Sequence, residues 1–396
     1  MVFPESALMK RIRRHVIGRV RTYFAATAPG LENICLKELL ALSLTTKAAS
    51  TVAGGVTFKG RLQDCYLANL NLRTANRILM RIQSFKATNF RQFEKKLQSV
   101  PWELYIRSGQ PLKVTAAAIH CRLYHTQAIS ERLSASISER LRKTADSEEI
   151  QNFAAADQRI FVRGSDDFFT LSIDSSGDNL YKRGIKKHSG RAPLRENLAA
   201  AALLQAGYKG SEPLVDPMCG SGTFSLEAGL MAKNIPPGWF RDFAFMTWPS
   251  FQSQRWKHLK RQSEKTFIHP KRPLIFASDK NPEACRRLEK CTPKFGLADA
   301  ISVCEQDFFD LAPDKLATHP GTVAINPPYG HRMGTVGETT ELFQAVCKCL
   351  GRRYKGWKLA LIVPDKRLLQ FVPFKMKSYS ISHGGLKLSL VVGRIS

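Results

Sequence analysis

Two short stretches carry residue types that could do chemistry. Asp216 to Phe224 reads DPMCGSGTF, and Asn326 to Gly330 reads NPPYG. In the second, the Asn326 amide oxygen and the Pro327 carbonyl are acceptors on a stiff loop, because Pro327 and Pro328 fix φ and offer no N–H. Two acceptors converging on an NH2 group would hold an exocyclic amine with its lone pair aimed at an electrophile. They would also stabilise the positive charge that grows as the amine attacks. Tyr329 offers a face on which a base can stack. The plain alternative is a Pro-rich turn beside a core tyrosine.

In the first stretch, Gly220 and Gly222 let the backbone approach a ligand closely. The loop matches neither the dinucleotide pattern GxGxxG nor the phosphate loop GxxxxGK[ST], and no lysine follows Thr223. Taken alone, CGSG is an ordinary strand-to-helix turn. Two further carboxylates lie downstream. Asp279 can accept both hydroxyls of a ribose, and Asp307 can accept from an adenine amino group. Each could instead be a helix or loop cap. Together with the glycine loop they fit a nucleoside without phosphates, and S-adenosylmethionine is such a ligand.

These residues need a frame that gathers them. From Leu194 onward, short apolar runs alternate with helical segments. Strands are expected at 214–215, 274–278, 301–304, 322–325 and 358–363, which is the pattern of a doubly wound, Rossmann-like parallel α/β sheet. Asp216 to Gly222, Asp279, Asp307 and Asn326 each follow one of the first four strands. Ligands of such sheets bind beyond those carboxyl ends. Lys377 to His383, Gly384-Gly385 and Leu386 to Val392 predict a closing antiparallel hairpin. The front of the chain reads differently. A strand over 19–28, a helix over 31–42, a strand over 56–59, a helix over 61–77 and a strand over 78–85 suggest a small α+β unit. Ile129, Leu133, Ile137 and Leu141 predict an amphipathic helix over 128–143, decorated by Arg132, Arg140, Arg142 and Lys143.

The chain has 396 residues and a formal net charge of +27. Repulsion on that scale points to a polyanionic partner. Basic residues cluster: six in Met1 to Thr22, six with no acid in Tyr181 to Arg195, and seven around Trp256 in Gln252 to Arg272. Such runs suit phosphate contact and base stacking. They lack the clean apolar face that a membrane-surface helix needs, so no membrane partner is expected. The N-terminal run resembles a transit peptide only loosely, being short and poor in serine, and reads equally as a flexible RNA-binding arm or an over-extended start. The nine scattered cysteines form no CxxC pair, which argues for a reducing, cytoplasmic compartment and against a metal site.

On these residues the chain resembles the THUMP-containing RlmL/YpsC-type guanine-N2 RNA methyltransferases of bacteria. The likeness runs over nearly the whole chain: ATAPGLENICLKEL, GGVTFKG and ANLNLRTANRIL in front, the junction SIDSSGDNLYKRGIKKHSGRAPLRENLAAALL, then LVDPMCGSGTFSLEA, PPGWFRDFAFMTW and AINPPYGHRMG. It departs from the family at Arg183-Gly184-Ile185-Lys186, at Asp279-Lys280-Asn281 and at His383-Gly384. The resemblance implies a basic extension (1–18), a ferredoxin-like module (19–85), a THUMP RNA-binding domain (86–175), a basic linker (176–195) and a methyltransferase domain (196–396). It gives Asp216, Pro217, Cys219, Gly220, Gly222, Thr223, Asp279 and Asp307 to S-adenosylmethionine. Asn326, Pro327, Pro328 and Tyr329 go to the target amine. Arg132, Arg140, Lys143, Lys182, Arg183, Lys186, Lys187 and Arg191 are expected on RNA. The implied activity is methylation of a guanine N2 in 23S rRNA, without a cysteine nucleophile. The alternatives are tRNA guanine N2, adenine N6 in DNA, and a non-catalytic RNA-binding assembly factor. The division also predicts that residues after Ser175 fold alone.

Overall fold

The computed structural model describes residues 6–144, 157–185, 194–328, 336–383 and 386–396. The front half comprises α1 (Ala7–Ile12), β1 (Arg21–Thr27), α2 (Glu32–Ala41), β2 (Ala49–Val52), β3 (Gly55–Gly60), α3 (Leu62–Asn71), β4 (Ala75–Lys86), α4 (Phe90–Gln98), β5 (Leu112–Ile119), α5 (Thr126–Thr144), β6 (Gln158–Ser165) and β7 (Phe168–Asp174). Its strands form one seven-stranded sheet in the order β2-β3-β1-β4-β7-β6-β5. The 12-residue strand β4 stands at the centre of that sheet, pairing antiparallel with β1 on one side and β7 on the other. Ile129, Leu133, Ile137 and Leu141 are buried on α5, as their spacing predicts. Each such side chain stabilises the fold by about 1.5–3 kcal/mol.

The helix expected over 61–77 stops at Asn71. Leu72 turns extended, and the next two backbone N–H groups donate to the Glu38 carboxylate, Arg73 at 2.8 Å and Thr74 at 3.0 Å. A half-buried carboxylate from α2 thus takes the donors that a continuing helix would have used. Nor do residues 6–18 form a flexible arm. Ile12 and Val16 are fully buried in the front core, and Arg11 donates to the Glu103 carboxylate at 2.7 Å. Leu8, Ile12 and Val16 fall four residues apart, a helical spacing that the surrounding basic residues obscure.

The second half comprises α6 (Glu196–Gln205), β8 (Leu214–Asp216), α7 (Thr223–Ala232), α8 (Ser253–Glu264), β9 (Ile275–Asp279), α9 (Pro282–Cys291), β10 (Ile301–Glu305), α10 (Pro313–Leu316), β11 (Thr322–Ile325), α11 (Val336–Arg353), β12 (Lys358–Val363), β13 (Lys377–His383) and β14 (Leu386–Arg394). Its sheet runs β10-β9-β8-β11-β12-β14-β13, parallel except for β14, which pairs antiparallel with both β12 and β13. This is the Rossmann-like methyltransferase sheet closed by a hairpin. The expected Gly384-Gly385 turn lies outside the described residues.

The two halves are not separate bodies. The segment between α7 and α8 leaves the second half and packs into the front core. There Phe245 stacks on Tyr66 with ring centroids 4.4 Å apart, Trp256 meets the same ring edge-on, and the Trp248 indole donates to Gln158 at 2.9 Å. This shared core runs against the expectation that residues after Ser175 fold alone. Phe243, Phe245, Trp248 and Trp256 belong to a core that residues before Ser175 complete.

Candidate active site

Parallel pairing gathers the polar strand ends. Val215 pairs with Val323, Asp216 with Ala277, and Asp279 with Glu305. Hence the loops after β8, β9, β10 and β11 leave the same edge of adjacent strands. The chain first builds outward from β8 through β9 to β10, then returns to place β11 on the other side of β8. That reversal opens a crevice at the ends of β8 and β11, where ligands of such sheets sit.

The glycine loop is held by the end of β9. The Gly220 N–H donates to Asp279 Oδ2 at 2.8 Å, and the Cys219 N–H to the Ser278 carbonyl at 2.9 Å. Gly222, at φ +71°, turns the chain into α7, and a Cβ there would lie 2.5 Å from Leu288. Gly220 also has positive φ, but a Cβ there would meet nothing within 4 Å. Backbone bared to open space is what a bound ligand needs from this loop. Asp216 is buried, and its Oδ2 accepts from the Ser225 N–H at 3.1 Å and hydroxyl at 2.6 Å. It fastens the first turn of α7 and so positions the loop. Pro217 and Thr223 are buried beside it. Burial pushes the Cys219 thiol far above its usual range, which keeps it protonated and a poor nucleophile.

Asp279 also accepts from the Asn281 N–H at 2.9 Å, so each of its oxygens already holds one backbone donor. A carboxylate offers about four lone-pair sites, which leaves capacity for two hydroxyls. Asp307 accepts from the Phe309 N–H at 2.9 Å and is partly exposed. Both residues are thus caps, and both can still receive a ligand.

At the end of β11 the Asn326 Oδ1 atom is buried and has no hydrogen-bond partner among the described residues. A buried acceptor in that condition costs about 1–3 kcal/mol. Pro327 is buried beside it and Pro328 is half-buried, while Tyr329 lies outside the described residues. No group of three or more His, Cys, Asp or Glu with metal-holding geometry occurs among the described residues. Among them, too, no helix is long and apolar enough to cross a membrane.

The basic residues expected on RNA divide. Arg183 is a correction: it is buried, and its guanidinium donates to Glu227 at 2.8 Å, the Leu180 carbonyl at 2.8 Å and the Arg73 carbonyl at 2.7 Å. With its donors consumed inside the protein, it cannot reach a phosphate. Arg140 forms a two-pronged bond to Glu103, both arms at 2.9 Å, Arg132 lies over the Phe90 ring beside Glu94, and Lys143 pairs with Glu139. Lys182 is exposed and pairs with Asp178. Lys186, Lys187 and Arg191 lie outside the described residues.

Sequence reasoning missed Glu227 and Arg73. Arg183, Arg73 and Glu227 form one buried cluster, and Arg73 also donates to the Ile235 carbonyl at 2.8 Å. It ties the front half to α7, the helix that carries the glycine loop. A glutamate within the apolar run TFSLEAGLMA was the available signal. So isolated an acid in a buried helix requires a cation.

Comparison with known proteins agrees with this geometry. Residues 183–384 match the model of the RMKL-like methyltransferase domain, and residues 22–79 match that of the RlmL ferredoxin-like domain. A ribosomal RNA large subunit methyltransferase K/L from Syntrophotalea carbinolica is 31% identical over 93% of this chain and 53% of its own. The chain thus spans about half the length of that relative. Among solved structures, a predicted N6-adenine-specific DNA methylase from Listeria monocytogenes is 27% identical with a TM-score of 0.84, covering 95% of this chain and 96% of its own. The protein SMU.472, complexed with SAH, is 26% identical with a TM-score of 0.84, covering 96% and 99%.

Proposed function

The chain belongs to the RMKL-like methyltransferase family, and we propose that it methylates structured RNA, the target being the exocyclic N2 amine of a guanine in 23S rRNA. S-adenosylmethionine, when bound, supplies an electrophilic methyl group. Gly220 gives its methionine end room against the loop and Gly222 turns that loop into α7, while Asp279 accepts from its ribose and Asp307 from its adenine. Asp216 acts through Ser225, as a positioning residue for that loop.

The observation that carries the reading is the Asn326 Oδ1 at the end of β11, buried and without a partner among the described residues. Such an atom suits an incoming N–H donor. Together with the Pro327 carbonyl it would grip the target NH2, orient its lone pair, and stabilise the charge that develops on nitrogen. No covalent intermediate on the protein is required, and the inert Cys219 thiol fits that. The base swings out of its helix to reach the crevice. RNA is favoured over DNA because the front half is similar to the RlmL ferredoxin-like domain.

The test transfers radiolabelled methyl to ribosomal RNA, transfer RNA and DNA, followed by nucleoside mass analysis. N2-methylguanosine in large-subunit rRNA is the expected product. N6-methyladenine in DNA would overturn the reading, and N2-methylguanosine confined to tRNA would move the substrate.

A further inference from the structure

The RNA-facing charge expected on α5 is largely tied into ion pairs, so the grip on a polyanion has to be sought elsewhere in the front half. The docked N-terminal helix supplies a place. Its turn into β1, the bulged part of β4 and the segment from Val100 to Tyr105 line a half-open pocket of about 280 Å³. Arg11, His15, Arg19, Arg21, Gln83 and Tyr105 line it together with apolar residues, and no carboxylate among the described residues lines it. None of the strand-end residues of the candidate active site takes part.

The cavity is built rather than incidental. Arg21 is held by two acceptors, its Nη2 donating to the His15 carbonyl and to the Tyr105 hydroxyl, the latter at 2.9 Å. Its Nε is buried without a partner among the described residues. A desolvated guanidinium N–H left without an acceptor is unfavourable unless a ligand supplies one. Arg11 is anchored by Glu103, and Arg19 is exposed at the rim. Arg19 and Arg21, which form no ion pair among the described residues, line this pocket beside the Glu103-held Arg11, and guanidiniums suit phosphate, whose oxygens match their forked donors. The volume falls at the lower end for small-molecule sites and admits one phosphate with its sugar rather than a string of stacked bases.

We propose that this cavity is a phosphate-binding site which takes a backbone phosphate of the RNA substrate, so that the N-terminal helix is part of the RNA grip. The proposal rests on the RNA reading above and adds where the front half holds that RNA. A phosphate contact positions the RNA and carries no sequence information. It would fix where the substrate lies along the front sheet, and selection of the nucleotide would remain with the crevice at Asn326.

The experiment uses the full chain, a fluorescent large-subunit rRNA fragment that the wild type methylates, and a salt series. Arg19→Glu reverses an exposed charge before β1, and Gln83→Glu places an acid in the pocket from β4, so a folding defect in one would not explain both. Each should weaken RNA binding by about ten-fold at ~0.1 M salt and lower the slope of log affinity against log salt by about one, the loss of one neutralised phosphate. Unfolding midpoints identify any variant that is simply misfolded. Wild-type affinity and slope in both folded variants would overturn the proposal while leaving the RNA reading intact. Failure of the wild type to methylate any RNA would instead overturn that reading. Inorganic phosphate separates the two sources of the ligand. Competition between phosphate and RNA in the wild type, lost in Arg19→Glu, supports an RNA phosphate. Protection of the wild type by phosphate with RNA affinity unchanged would assign the cavity to a free phosphate and overturn the RNA occupant.

Discussion

Asn326→Ala should separate chemistry from both folding and cofactor binding. Among the described residues the Asn326 Oδ1 is buried without a partner, so the substitution removes no hydrogen bond between them and that oxygen. The orphaned acceptor costs about 1–3 kcal/mol, and removing it offsets much of the packing lost with three side-chain atoms. Stability should therefore change by no more than about 1 kcal/mol, roughly 2 °C or less in the unfolding midpoint for a chain of this size. The amine, by contrast, loses an acceptor that strengthens as positive charge develops. Removing one preorganised group of that kind lowers turnover by about 10²–10³-fold, or ~2.7–4 kcal/mol of barrier. Asn326→Asp keeps an acceptor in place and should recover part of the rate. The assay is single-turnover transfer of radiolabelled methyl to RNA, run beside calorimetry for S-adenosylmethionine and a thermal melt. The reasoning fails if turnover is unchanged, or if its loss is matched by a loss of cofactor affinity or by several degrees of midpoint.

Asp279→Ala removes the acceptor that holds the Gly220 and Asn281 N–H groups as well as the proposed ribose contact. Charged hydrogen bonds contribute about 1.5–3 kcal/mol, so the dissociation constant for S-adenosylmethionine should rise about ten-fold or more, and calorimetry showing no change would refute the assignment. Glu227→Leu leaves Arg183 and Arg73 as buried unpaired cations and should cost about 3–5 kcal/mol in urea unfolding. A loss below about 1 kcal/mol would mean that the cluster is not what joins the halves. Cys219→Ala should keep turnover within about ten-fold of the wild type, because a thiol held protonated by burial is no nucleophile, whereas near-complete loss would require a covalent mechanism.

What the sequence made legible was whatever depends on neighbours. The alternation of strands and helices after Leu194 and the four-residue spacing on α5 are local patterns, and both elements form where those patterns lie. The polar strand ends were legible for the same reason, since parallel strands bring their carboxyl ends to one edge whatever the loops contain. The misreadings share a different cause. Arg183 sits in a run of basic residues that reads as an RNA face, but its fate is decided by Glu227, 44 residues away, and by the Arg73 carbonyl, 110 residues away. The early stop of α3 depends on Glu38, 35 residues before Arg73. Charge runs describe composition, whereas burial of a charge depends on a partner that only the fold brings near.

The joined halves also change how the division of labour can be tested. A fragment beginning at Ser176 would keep every residue proposed for the cofactor and the amine, yet it would strip the cover from Phe243, Phe245, Trp248 and Trp256, which are at most 8% exposed in the whole chain. Aromatic side chains bury about 150–250 Å² each, so such a fragment would bare a patch larger than the few hundred Å² that lone soluble proteins usually expose. It would also take from Arg183 the Arg73 carbonyl and remove a cation from Glu227. The fragment should therefore aggregate or bind a hydrophobic dye strongly, and its affinity for S-adenosylmethionine should fall because α7 loses its tether. A monomeric fragment with full cofactor affinity and no dye binding would show that the shared core is dispensable to the second half. If the fragment fails as expected, weak RNA binding by it carries no information about where RNA is held, and point changes in the intact chain, such as those at Arg19 and Gln83, are the experiments that can locate the grip.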